Sequence, residues 1–209
     1  MSDARAQLPV VVGVTGASGV VYAQRLVECL LEAERPVFLA LSSAARLVVQ
    51  EELPTPRGSD PWGTTNRHLL RVCAEKDFTL PFCSGTFRFQ GMAVIPASMG
   101  TVGAIASGIS LNVIHRGADV ALKERRPLVV VPRECPLTEI HLENLLRIAR
   151  AGGTILPPAP AFYQRPRSVA DLIDFVVSRV LDALGIDNAL FPRWGDSVRS
   201  PDAGSAPHA

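Results

Sequence analysis

Apolar residues along this chain follow two rhythms that alternate: short unbroken runs, and longer stretches striped at three- and four-residue intervals. Val10 to Thr15 is a β-branched run, the pattern of a strand buried on both faces. After Gly16-Ala17-Ser18-Gly19, the stretch Val20 to Glu34 sets Ala23, Leu26, Val27 and Leu30 on one helical face. Val37 to Leu41 is a second apolar run, and Ser42-Ser43 leads into a helix from Ala44 to Glu52. Met92 to Ile95, Leu128 to Val131 and Thr154 to Leu156 are three more buried runs. Between them the pattern predicts helices over Ser98–Ser107 and Leu111–Leu122. A third, capped by Thr138, carries the stripe Leu142, Leu145, Leu146 and Ala149 and closes at Gly152-Gly153. Ser168 and Asp171 open a last helix that turns Ile173, Val176, Val177, Val180, Leu181 and Leu184 inward.

Three stretches are less regular. Leu53 to Thr65 is rich in proline and glycine and reads as a loop. Asn66 to Glu75 is predicted as a short helix, and Asp77 to Gln90 as irregular chain or an edge hairpin. The strand–helix alternation implies an α/β fold: a single doubly wound, flavodoxin/Rossmann-like parallel sheet of five or six strands with helices on both faces. One domain is expected over residues 8–196, followed by a disordered tail rich in Ser, Pro, Gly and Ala over residues 197–209.

Composition narrows the function. The chain has 209 residues, 47% of them hydrophobic, enough for a sizeable core. Its net charge of +1 gives no field of one sign to attract nucleic acid. Phe89 to Ile114 has no charged residue or histidine. It carries Gly91, Pro96, Gly100, Gly103, Gly108 and several hydroxyl and amide side chains, which argues against a membrane span. The four cysteines form no Cys-x-x-Cys pair and no histidines sit at ligand spacing, so neither a zinc site nor a disulfide framework is expected. The polar start Met1 to Gln7 adds to a reducing, cytoplasmic reading.

In a doubly wound sheet, ligands bind at the carboxyl ends of the strands. Gly16-Ala17-Ser18-Gly19 joins a strand to a helix, either as a tight turn or as a cradle for a phosphate. A dinucleotide site is disfavoured: Tyr22 stands where a third glycine is needed, and the second strand ends in Leu41-Ser42-Ser43 without an acid. No Gly-Lys-Ser/Thr of a P-loop exists. Pro96-Ala97-Ser98-Met99-Gly100-Thr101 repeats the arrangement, with Ser98 and Thr101 as helix caps or as ligands. Two hydroxyl-bearing helix starts beside Ser42 suit a mononucleotide such as flavin mononucleotide (FMN) better than a dinucleotide. Arg116 and Lys123, seven residues apart, share a helix face that is either a solvated end or part of a site. Arg133-Glu134 closes another strand, and Phe162-Tyr163 lies in a proline frame that is a loop or a lid.

These segments resemble the UbiX-type flavin prenyltransferases. The resemblance rests on Thr15-Gly16-Ala17-Ser18-Gly19, on Pro96 to Thr101, and on the run from Arg116 to Leu128 with its Leu122-Lys123-Glu124-Arg125-Arg126. Val131-Pro132-Arg133-Glu134, His141-Leu142-Glu143-Asn144, Pro160-Ala161-Phe162-Tyr163 and Pro192-Arg193-Trp194-Gly195 extend it over roughly Val10 to Gly195. It implies a homododecamer with sites between subunits, and transfer of a dimethylallyl group from dimethylallyl monophosphate to N5 and C6 of reduced FMN. It also implies a product used by a UbiD-type decarboxylase, and no metal. By the same resemblance Gly16, Ala17, Ser18, Ser42, Ser98, Met99, Gly100, Thr101 and Arg133 hold FMN. Tyr163 and Arg179 hold the prenyl phosphate with Lys123 and Arg116, while Glu52 and Glu134, with Ser18, handle protons. Two alternatives stand beside it: a non-catalytic FMN-binding subunit of a decarboxylase system, and a flavin-dependent cysteine decarboxylase.

Overall fold

The computed structural model describes residues 7–53, 60–63, 65–163 and 165–191. Pro192-Arg193-Trp194-Gly195, the end of the expected domain and the tail at residues 197–209 lie outside them, as does most of the proline–glycine loop. Six parallel strands form one sheet in the order β3-β2-β1-β4-β5-β6. They are β1 (Val10–Val14), β2 (Val37–Leu41), β3 (Leu70–Cys73), β4 (Gly91–Ala97), β5 (Leu128–Pro132) and β6 (Thr154–Ile155). Every residue of β1, β4 and β5 is buried, as a central strand covered on both faces requires.

Six α-helices accompany the strands: α1 (Val20–Glu32), α2 (Ser43–Glu52), α3 (Met99–Ala106), α4 (Val113–Lys123), α5 (Glu139–Arg150) and α6 (Val169–Ala183), with α3 and α4 in succession between β4 and β5. Side-chain alternation along the strands divides the core in two. Val10, Val12 and Val14 meet α1 and α6 through Leu26, Leu30, Val177 and Leu181. On the other face Val11, Met92 and Val94 meet α3 and α4 through Val102, Ile114 and Ala118. The strand order reverses between β1 and β4, so their carboxyl ends part into a crevice.

One expectation needs correction. Residues 66–75 form no α-helix: a single 3₁₀ turn at Arg67–Leu69 leads into β3, which pairs with β2 from Leu70↔Val37 onward. β3 is an edge strand with only Leu70 and Cys73 buried, too short to show a period. Residues 77–90 are irregular chain, the first of the two readings, with no edge hairpin. They carry a 3₁₀ turn, Pro81–Cys83, that buries Phe82 completely against Phe38. The apolar stripe of α5 is largely open: Leu142 is 54% and Leu146 48% exposed, with Leu137 and Ile140 exposed beside them, while Ile148 alone is buried. Periodicity reports an apolar face but not what covers it. Among the described residues no helix is long and apolar enough to cross a membrane.

Candidate functional site

The crevice is built from the carboxyl ends of β1 and β4, and Thr15 fastens them. Its hydroxyl, 1% exposed, donates to the Pro96 carbonyl at 2.8 Å and accepts the Ser98 N–H at 2.7 Å. A hydroxyl with both roles filled locks the start of α3 to the end of β1. Arg133, after β5, joins the same rim: its N–H donates to the Ala97 carbonyl, and its Nε donates to the Ser18 carbonyl at 3.2 Å.

The glycines of the first loop serve the fold. A β-carbon on Gly16 would lie 2.4 Å from that of Ala44, so α2 packs directly on this turn. Gly19 has φ of 102°, in the left-handed region. The start of α1 is already bound to an anion of the chain itself. The Glu52 carboxylate, from the end of α2, accepts the Gly19 N–H at 2.8 Å and the Val20 N–H at 2.9 Å. Burial alone would raise its pKa. The Ser18 hydroxyl, those two N–H groups and the Arg133 charge outweigh burial and hold it below the usual carboxylate range. Glu52 is therefore ionised beside Ser18 at neutral pH.

The start of α2 is likewise occupied. Ser42 accepts the Ala45 N–H through its hydroxyl at 3.1 Å, and Glu75 accepts the Ser43 N–H at 2.9 Å. Asn112, Thr138 and Ser168 cap α4, α5 and α6. Only α3, among the described α-helices, begins without a side-chain cap: Ser98 turns its hydroxyl to Thr101 at 3.2 Å. Nothing lies within 4 Å of where a Gly100 β-carbon would stand, so this helix start faces open space. Unclaimed N–H groups with the positive end of the helix behind them fit a phosphate group.

The structure thus gathers Gly16, Ala17, Ser18, Ser42, Glu52, Ser98, Met99, Gly100, Thr101 and Arg133 on one rim. Glu134 follows them there, exposed, with its carboxylate accepting the Cys135 N–H at 3.1 Å. Of the other expected residues, Lys123 and Arg179 stand apart. α4 runs back along the sheet, so Lys123 reaches the amino-terminal rim beside Gly85, while Arg116 donates to the Cys83 carbonyl. A five-residue strand spans about 17 Å, which separates Lys123 from the Ser18 rim. Tyr163 is 54% exposed, its ring edge-on to Phe191. Arg179 lines a groove of about 430 Å³ between β6 and α6, with Leu156, Pro157 and Phe175. β6 is three strands from β1, roughly 14 Å across the sheet. Arg116, Lys123 and Arg179 are each ion-paired along their own helix or its end, to Asp119, Glu124 and Asp182.

Sequence reasoning flagged Thr15 without a role and missed Glu75. Thr15 was legible as a hydroxyl at a buried strand end. Glu75 had no signal, because it lay in a segment taken as helix. Among the described residues no group of histidines, cysteines and carboxylates is arranged to hold a metal ion.

Residues 2–181 match the family model described as Flavoprotein. The flavin prenyltransferase UbiX of Methanocaldococcus jannaschii is 46% identical over 188 residues, covering 90% of this chain and 99% of that protein. The crystal structure of AnUbiX (PadA1) in complex with FMN and dimethylallyl pyrophosphate superposes with a TM-score of 0.82 at 41% identity, covering 90% of this chain and 97% of that one. A dodecameric FMN-dependent UbiX-like decarboxylase from Escherichia coli O157:H7 gives a TM-score of 0.81 at 38% identity, covering 90% and 99%.

Proposed function

This chain belongs to the Flavoprotein family and, within it, to the UbiX flavin prenyltransferases, and we propose that it transfers a dimethylallyl group from dimethylallyl monophosphate to reduced FMN. Reduced FMN supplies the N5 and C6 positions that take the five-carbon unit, closing a further ring. The observation that carries the reading is the open, uncapped start of α3, next to two helix starts already filled by Glu52 and Glu75. The FMN phosphate goes to the Ser98 hydroxyl and to Met99, Gly100 and Thr101, whose N–H groups are unclaimed. Ser42, Gly16, Ala17, Ser18 and Arg133 hold the rest of the flavin.

Breaking the allyl–phosphate bond concentrates negative charge on the departing phosphate, which fixed cations stabilise best where water is excluded. Arg116, Lys123, Tyr163 and Arg179 take that task. Lys123 and Arg179 lie far from the rim of their own chain, and the site between subunits that the resemblance implies has neighbouring copies supply these groups. The exposed apolar face of α5 and the dodecameric UbiX-like relative support such an assembly, a homododecamer. Covered by a neighbour, Glu134 protonates the leaving phosphate; that acid would then supply the proton the allyl double bond takes up as it closes on C6, while ionised Glu52 takes the C6 proton through Ser18. The product serves a UbiD-type decarboxylase, in the cytoplasm.

A non-catalytic flavin carrier would need neither Glu52 nor the distant cations. The relatives at 46% and 41% identity carry the prenyltransferase reading over the cysteine-decarboxylase alternative. Gly100→Asp tests the phosphate site, since its β-carbon meets open space and its charge repels the phosphate. FMN affinity is expected to fall at least about tenfold while riboflavin affinity holds. Equal losses for both flavins would place the phosphate elsewhere.

A further inference from the structure

Glu75 has no part in the site as assigned, yet it joins two of the elements that build it. It follows β3 and is half-buried. One carboxylate oxygen accepts both the N–H and the hydroxyl of Ser43, the first residue of α2. The other accepts the Asn112 amide at 3.2 Å, and the Glu75 carbonyl accepts the Val113 N–H at 3.0 Å. Asn112 is itself 8% exposed and caps α4 by accepting the His115 N–H at 2.9 Å. A single side chain therefore grips the starts of α2 and α4 together.

The grip is more than a cap. Ser42 already caps α2 through Ala45, and one such acceptor is what a helix start ordinarily uses. A second, anionic acceptor on Ser43 fixes the peptide that carries the Ser42 side chain. Charge-assisted bonds of this kind are about twice as strong as neutral ones. The Ser43 and Asn112 donors and the nearby Lys76 charge keep Glu75 ionised against its burial, so the grip is complete at neutral pH.

We propose that Glu75 is a positioning residue for the flavin: by clamping Ser43 to the start of α4, it sets where the Ser42 hydroxyl meets FMN. This rests on the reading that Ser42 contacts FMN, and the experiment separates the two. KM for FMN and kcat are measured for Glu75→Gln, Ser42→Ala and the double variant. Glu75→Gln is expected to raise KM about tenfold and lower kcat less than threefold, with Glu75→Asp in between. The double variant should be no worse than Ser42→Ala alone, because Glu75 acts through that hydroxyl. If Ser42→Ala raises KM while Glu75→Gln does not, or adds a full independent factor, the positioning role is overturned and the Ser42 contact stands. If Ser42→Ala leaves KM unchanged, the contact itself is wrong and the role falls with it. Ser43→Ala, at an exposed position, removes the hydroxyl donor alone. It must raise KM about threefold, without further loss when combined with Ser42→Ala, even if Glu75→Gln does not fold.

Discussion

Replacing Thr15 by valine keeps the volume at the end of β1 and deletes a hydroxyl that makes two hydrogen bonds. The Pro96 carbonyl keeps one partner, the Thr15 N–H at 3.2 Å. The Ser98 N–H, at 2.7 Å from that hydroxyl, is left without one. A lost net bond costs about 1 kcal/mol and a stranded polar group about 1–3 kcal/mol, so Thr15→Val should destabilise by about 3 kcal/mol. In a chain of this size that is a Tm lower by roughly 6–12 °C. Because Ser98 begins α3, FMN affinity should fall as well, by about tenfold, the weight of one ordinary hydrogen bond. Urea denaturation with flavin-fluorescence titration reads both quantities, and Thr15→Ser, which keeps the hydroxyl, should lose much less. A Thr15→Val protein within about 0.5 kcal/mol of wild type, the range of ordinary surface substitutions, would refute the claim that Thr15 fastens β1 to α3.

Other consequences follow from the same geometry. Glu52 has a depressed pKa in the folded chain, so its contribution is present above its unfolded pKa and lost as pH falls through the folded one. Glu52→Gln should therefore be less stable than wild type at neutral pH, with the gap closing below about pH 4 in denaturant titrations. Lys123→Ala and Arg179→Ala should raise KM for the prenyl phosphate at least about tenfold. Isothermal titration should find FMN affinity intact in both, because neither lies on the Ser18 rim. Leu142→Asp, at an exposed position on α5, should leave the monomer folded and break the assembly, which analytical ultracentrifugation would read as a lower mass.

The central sheet was legible because β1, β4 and β5 are buried on both faces and so appear as unbroken apolar runs. Helix starts at Ser42, Thr138 and Ser168 were legible for a local reason: the capping side chain is adjacent in sequence to what it caps. Glu52 and Glu75 show the opposite case. They serve helix starts more than thirty residues away, a pairing that no local pattern encodes. β3 escaped because four residues with two facing outward carry no period. The α5 stripe was legible as apolar, but a period does not say what covers it, and Leu142 and Leu146 are exposed in the chain. The roles of Lys123, Tyr163 and Arg179 came from family resemblance alone: within the chain Lys123 and Arg179 pair with Glu124 and Asp182, as ordinary surface cations do.

The most direct measurement is the mass of the flavin released after anaerobic incubation of the purified protein with reduced FMN and dimethylallyl monophosphate. The account predicts a gain of one five-carbon unit, lost in Glu134→Gln. Unchanged FMN despite tight binding, with the diphosphate as well as the monophosphate, would contradict it and leave a flavin carrier in its place.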